Sequence, residues 1–232
     1  MLDHSSIKGR LVAAAMALAA ERPWREVDLA DIAAKAGVNL VDVRNAFASK
    51  GAVLAAFVRM VDDAVLARPP QRAADQSKRD ALFEVIMSRF DVLGPYKSAL
   101  RSIAKSWSAE PQAMCAVAQS QGWMLRAAGI RADGIEGQVR STGLAALYAS
   151  VYRTWLNDDD PGQAKTMAAL DRQLKRGEQA SQKFDSAVSR LCGVAKSVCD
   201  AVQPRRKPET GSDDQRMPEP PPSGAAGPAP AT

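Results

Sequence analysis

Imidazole is almost missing from this chain of 232 residues, whose one histidine is His4. No His-dependent catalytic triad and no His-rich metal site can be built from it. Cysteine is nearly as scarce. Cys115, Cys192 and Cys199 form no C-x-x-C pair and are odd in number, so they read as small buried apolar residues in a reducing compartment. Aromatics make up only 5% of the chain, and no stretch alternates β-branched with polar residues as a strand does. There is no Gly-rich phosphate loop after a strand, and no spacing singles out a carboxylate pair for acid and base work. The triplet Asp158, Asp159, Asp160 suggests a metal site at first sight, but three consecutive side chains diverge and a helix cap explains them better. The chain therefore reads as a protein that is no enzyme and carries no cofactor or metal.

Long apolar runs are absent too, none approaching the ~20 residues that span a bilayer. Lys8 and Arg10 before LVAAAMALAA imitate a secretory signal. Against that, Ile7, Leu11, Ala14 or Ala15, and Leu18 keep helical spacing, and the segment runs on into ERPWREV, which continues a folded motif. The expected location is cytoplasmic.

What the chain does have is alanine and helical periodicity, which give an all-α fold. The stretch from Val27 to Lys50 is the most informative. Asp28 stands three residues before Asp31 and Asn39 three before Asp42, so each of two short helices has its cap. Between them Gly37 supplies the left-handed residue that ends the first. Helices are expected over 7–21, 29–36 and 40–47, followed by a long one that Ser49 caps and that carries Val53, Leu54, Phe57 and Val61. Trp24 should wedge into this small core. Pro69 and Pro70 end the first domain, drawn as 1–68.

A second helical domain is drawn as 75–203. Ser77 and Asp80 open a helix bearing Phe83, Ile86, Phe90 and Leu93, and Gly94 and Pro95 break it. Helices then run from Tyr96 to Trp107, from about Pro111 to Ala128 and from Gly137 to Leu156. The last has a wide apolar face of Leu144, Leu147, Tyr148, Val151, Tyr152 and Trp155. Pro161 is expected at the first position of a helix with Met167, Leu170 and Leu174. Beyond it Phe184, Val188, Leu191, Ala195, Val198 and Val202 make a heptad-like stripe. Over 181–202 that stripe suits its own domain, a second subunit or an anionic membrane surface. From 204 to 232 the composition collapses to Pro, Gly, Ala and charge, the signature of a disordered tail.

The order DLADIAAKAGVN, then a short helix ending in Phe47, then Ser49 and Lys50 before a long helix, resembles the N-terminal domain of TetR-family transcriptional regulators. That resemblance implies a helix-turn-helix that binds an operator in double-stranded DNA, a ligand-binding and dimerising second domain, and a homodimer. It points to Lys35, Asn39, Leu40, Val41, Arg44, Asn45 and Lys50 as the DNA-facing set. Of these, Asn39, Arg44 and Lys50 would hold phosphates, while Asn45, Leu40 and Val41 would face bases. Family members carry a small hydroxyl residue, Leu and Tyr where this chain has Asp42, Val43 and Arg44. Apolar Leu40 and Val41 can touch only a thymine methyl. Charge adds little, since residues 1–68 hold nine Lys/Arg against eight Asp/Glu, a net of +1 within a chain of +5.

The same resemblance implies a pocket for a small apolar ligand, lined by some of Phe83, Met87, Phe90, Leu100, Ile103, Trp107, Met114, Trp123, Met124 and Leu147. It also implies a two-fold interface from Leu144, Tyr148, Val151, Trp155, Met167, Leu170 and Leu174. A second resemblance lies in RDALFEVIMSRFDVL, WLNDDDP and TMAALDRQL, which look like segments of the coenzyme-Q biosynthesis accessory proteins. It implies the alternative of a lipid- or isoprenoid-binding accessory protein with a vestigial helix-turn-helix. A plain protein-interaction module using Leu40 and Val41 is a third reading.

Overall fold

Side-chain caps set most of the helix starts. The computed structural model describes residues 5–68, 75–106 and 110–179. Helix α1 spans Ile7–Glu21 and starts where the Ser6 hydroxyl accepts the Gly9 amide. A 3-10 turn, Trp24–Glu26, leads to α2, Leu29–Ala36. Its capping box is reciprocal: the Asp31 amide donates to Asp28 Oδ1 at 2.7 Å and the Asp28 amide donates to Asp31 Oδ2 at 3.0 Å. Gly37 ends α2 in the left-handed region, at φ +65°. Helix α3, Leu40–Ala46, is capped by Asn39 Oδ1, and α4, Lys50–Leu66, by the Ser49 hydroxyl. Each such cap is worth about 1 kcal/mol.

Helix α5, Lys78–Leu93, opens on the Ser77 cap and passes through the 3-10 turn Gly94–Tyr96 into α6, Lys97–Ala104. Then come α7, Pro111–Ala127, and α8, Gly134–Leu156. A further helix, α9, occupies 164–179. The architecture is all-α, and no strand occurs among the described residues. The stripe at 181–202 and the tail at 204–232 lie outside them.

Helix α9 does not begin at Pro161. Asp160 caps it, its Oδ1 accepting the Gly162 amide at 3.1 Å and its Oδ2 the Ala164 amide at 3.1 Å, so Pro161 sits in the turn before it. Asp158 is buried and accepts the Thr166 amide at 2.9 Å and hydroxyl at 2.7 Å. The acidic triplet is thus largely a double cap, with Asp159 turned outward to pair with Arg101.

One hydrophobic core runs from α1 to α9, from Leu11 through Phe57 and Phe90 to Leu174. The α8 stripe closes inside the subunit. Phe90 stacks on Tyr148 with ring centroids 5.5 Å apart and on Trp155 at 5.3 Å. This corrects the two-fold interface expected from the sequence. Leu144, Tyr148, Val151, Trp155, Leu170 and Leu174 are buried in their own chain, and only Met167 of that set reaches solvent. An apolar arc that wide needs more than one neighbour, and the same chain provides them.

A polar cluster sits within this core. Arg89 of α5 is 2% exposed; it pairs with Asp62 of α4 and donates from Nη1 to Ser120 of α7 at 2.6 Å and from Nε to the Tyr148 hydroxyl of α8 at 3.2 Å. The Ser120 hydroxyl also donates to Asp62 Oδ1 at 2.7 Å. Burial disfavours the charged guanidinium, but Tyr148 and Asp62 beside it outweigh that, and its pKa is raised.

Two measurements check these assignments. Arg89→Met alone strands a buried Asp62 carboxylate and is expected to lower the unfolding free energy in denaturant by about 3–5 kcal/mol. For Asp158, the bonds from Thr166 hold the carboxyl below its usual range. Its contribution is present above the unfolded value of about 4 and disappears as pH falls through the lowered folded value. Stability followed below a pH of about 4 is therefore expected to fall less steeply in Asp158→Asn than in the wild type.

Candidate nucleic-acid interface

The α2–α3 unit presents α3 outward because only Val43 of that helix is buried. Leu40 is 59% exposed and Val41 54%, with Arg44 and Asn45 exposed beside them. Arg44 has no ion-pair partner among the described residues, so its guanidinium is available to a phosphate. The Asp42 amide donates to Asn39 Oδ1 at 2.8 Å, which leaves the Asn39 side-chain nitrogen for other contacts. Asp42, half-buried in the first turn, sits where the positive helix end favours an acid.

Two of the sequence-derived DNA contacts have intramolecular partners. Lys35 pairs with Glu21 at 2.7 Å on the exposed surface, a contact that phosphate can replace. Lys50 is held more firmly. Its ammonium donates to the carbonyls of Trp24, at 3.0 Å, and Val27, and stands 4.8 Å from the centre of the Trp24 ring. The Trp24 carbonyl also accepts the Val27 amide at 3.2 Å, so Lys50 is the side-chain donor that reaches the Val27 carbonyl and ties the start of α4 to the 3-10 turn, with one of its three N–H groups left over. Nearby, Arg22 pairs with Asp31 at 2.5 Å. The Arg22 guanidinium, with the Asp28 amide, holds the Asp31 carboxyl below the usual range.

Beside the shared apolar core, polar bonds cross the seam from this head to the remaining helices, and no local pattern of residues foretells them. Trp24, fully buried, donates its indole N–H to Glu110 Oε1 at 2.7 Å and its amide to the Ser102 hydroxyl at 2.9 Å. Ser102 in turn donates to the Arg22 carbonyl at 3.2 Å. A Cβ at Gly51 would lie 3.0 Å from Glu110 Oε2 and 3.1 Å from Gln112 Oε1, so a larger residue there would require these two side chains to give way. Ser49 donates its hydroxyl to Gln112 across the same seam.

The expected ligand-pocket residues do not converge on one cavity. Phe90, Leu100, Ile103 and Met124 are packed in the core, Met114 is 44% exposed and Trp123 54%, and Leu147 is half-buried. Met114 and Trp123 therefore cannot line an interior pocket, and Trp107 lies outside the described residues. Phe83 and Met87 are half-buried and do share a depression of about 480 Å³ with Met167, Glu84 and Asp91. Among the described residues no cluster of His, Cys, Asp or Glu is arranged to hold a metal, and no helix is long and apolar enough to cross a membrane.

Solved structures share this architecture. A TetR transcriptional regulator from Nitrosomonas europaea is 22% identical with a TM-score of 0.59, over 74% of this chain and 98% of that one. A TetR transcriptional regulator from Rhodococcus sp. RHA1 is 21% identical with a TM-score of 0.55, over 72% and 92%. No known family pattern and no curated protein matches the sequence. The chain has the TetR fold, and at these identities the likeness is one of fold.

The contrast between two basic residues is measurable. Lys50→Met takes the side-chain donor from the Val27 carbonyl and one of two donors from the Trp24 carbonyl, and is expected to lower thermal stability by about 1–2 kcal/mol. Arg44→Ala, on the surface, is expected to change it by no more than about 0.5 kcal/mol.

Proposed function

We propose that this protein is a DNA-binding transcriptional regulator that acts as a homodimer. The observation that carries this reading is α3, which follows a capped, glycine-ended α2 and turns Leu40, Val41, Arg44 and Asn45 to solvent. A helix presented in this way fits the major groove. Asn45 has the carboxamide that reads adenine edges, Leu40 and Val41 fit thymine methyls, and Arg44 anchors a phosphate. The net +1 of residues 1–68 makes non-specific attraction weak, so affinity depends on a few placed contacts.

Two-fold pairing suits the outward faces of α8 and α9. Val139, Thr142, Ala146 and Ser150 form one exposed line at helical spacing on α8, and Met167 and Ala168 are exposed on α9. Small side chains there allow close approach of a second copy, and two heads would then meet half-sites about one helical turn apart. A small apolar effector is best accommodated at the depression beside Phe83 and Met87, since the interior candidates are occupied by packing. Such an effector regulates only if it binds the DNA-competent and incompetent arrangements unequally.

Selection from genomic fragments by the purified full chain at moderate salt is expected to enrich a pseudo-palindromic sequence. Arg44→Ala should weaken binding to it about tenfold and reduce the salt slope by about one. Recovery of no enriched sequence would overturn the reading. Ala146→Arg, placing charge in the proposed pairing face, is expected to shift the protein to monomer in sedimentation and to abolish operator binding.

A further inference from the structure

Helix α4 is tied by polar bonds at both ends. At its start Ser49 caps it and Lys50 holds the Trp24 and Val27 carbonyls of the head. Near its end Asp62 is held by Arg89 and Ser120, which belong to α5 and α7, and Arg89 also holds Tyr148 of α8. Between these ties the contacts of α4 are apolar, through Val53, Leu54, Phe57, Val58 and Val61.

An ion pair shut away from water is not the best available way to hold helices together. Apolar side chains of similar volume do so as well or better, because the charges give up hydration that their attraction barely restores. The core surrounding Arg89 already uses such side chains. What the cluster adds is direction. Apolar contacts tolerate a small slide or rotation of a helix, whereas a planar guanidinium bonded to oxygens on three other helices is satisfied in one arrangement only. A shift of α4 by an ångström or two would leave Arg89 and Asp62 buried and unpaired.

We propose that the Asp62–Arg89–Ser120–Tyr148 cluster is a positional lock on α4 that fixes where the α2–α3 head stands relative to α5, α7 and α8. The regulatory use of this lock rests on α3 being the DNA contact, but the lock itself concerns head position and is tested without DNA.

The test uses the full chain with Cys115, Cys192 and Cys199 changed to Ser and spin labels at Asn45→Cys on α3 and Gln138→Cys on α8, both exposed positions. Labelled protein is diluted in an excess of unlabelled chain. In the Asp62→Leu/Arg89→Met double variant, which replaces the pair by apolar groups, the thermal midpoint is expected within ~4 °C of the wild type. The label-to-label distance distribution should broaden or shift by a few ångströms. On DNA recovered with the wild-type chain, affinity should fall roughly fivefold or more. A folded double variant with the wild-type distance distribution overturns the lock.

If the double variant does not fold, Ser120→Ala and Tyr148→Phe, each removing one bond from Arg89, decide the matter. Each leaves buried polar atoms short of a partner and should lower the midpoint by a few degrees. Each should also broaden the distribution by a smaller amount than the double variant, and unchanged distributions in both overturn the proposal. If the distances respond but selection yields no DNA, the lock stands and the proposed function falls.

Discussion

A guanidinium enclosed in a helical core has to be answered oxygen by oxygen, and that requirement organises the larger part of this molecule. Arg89 draws its partners from α4, α7 and α8, so four helices must converge at one point in one register. The aromatic layer of Phe90, Tyr148 and Trp155 grows outward from that point, Tyr148 belonging to both. Apolar burial supplies the bulk of the stabilisation. The polar cluster determines which of the near-equivalent apolar packings is adopted.

The head follows a different logic. Its helices, long α1 and α4 and short α2 and α3, have their starts satisfied one after another by Ser6, Asp28, Asn39 and Ser49. With so many donors and acceptors engaged locally, few side chains are left for a partner. Lys50 and Lys35 both have internal ties of unequal strength, and the charge that remains available on α3 is chiefly Arg44. Under the proposed function, exposed Leu40 and Val41 at the front of α3 would favour shape and methyl contacts over hydrogen bonds.

Features that a residue shares with its near neighbours are legible in the amino-acid sequence alone. The caps at Asp28, Asn39 and Ser49, the stop at Gly37 and the Ser77 start of α5 depend on side chains a few residues away, and they stand where the spacing put them. The start of α9 shows the limit, because Pro161 suits a first helical position but Asp160 reaches over it to cap Ala164. Periodicity marks the α8 face correctly as apolar, yet it carries no information on which surface covers it, and the chain itself proves to be the cover. Bonds between distant residues are illegible. Arg89 and Asp62, Trp24 and Glu110, and Lys50 and the Val27 carbonyl each join parts of the chain that nothing local connects. A charged residue beside Phe90 in MSRFDVL, and Asp62 inside an apolar helix, are the visible hints.

The bond from the Trp24 indole to Glu110 also bears on how separable the head is. Its small core closes around a tryptophan whose N–H partner arrives 86 residues later in the chain. Cut free of the following helices, or grafted onto another body, residues 1–68 would bury that N–H unanswered or expose the ring to water. Either outcome penalises the free head by about 1–3 kcal/mol. The head of this chain can therefore be moved without that penalty only together with Glu110 and Ser102, which receive Trp24, so the unit that is satisfied by itself is larger than the α2–α3 pair.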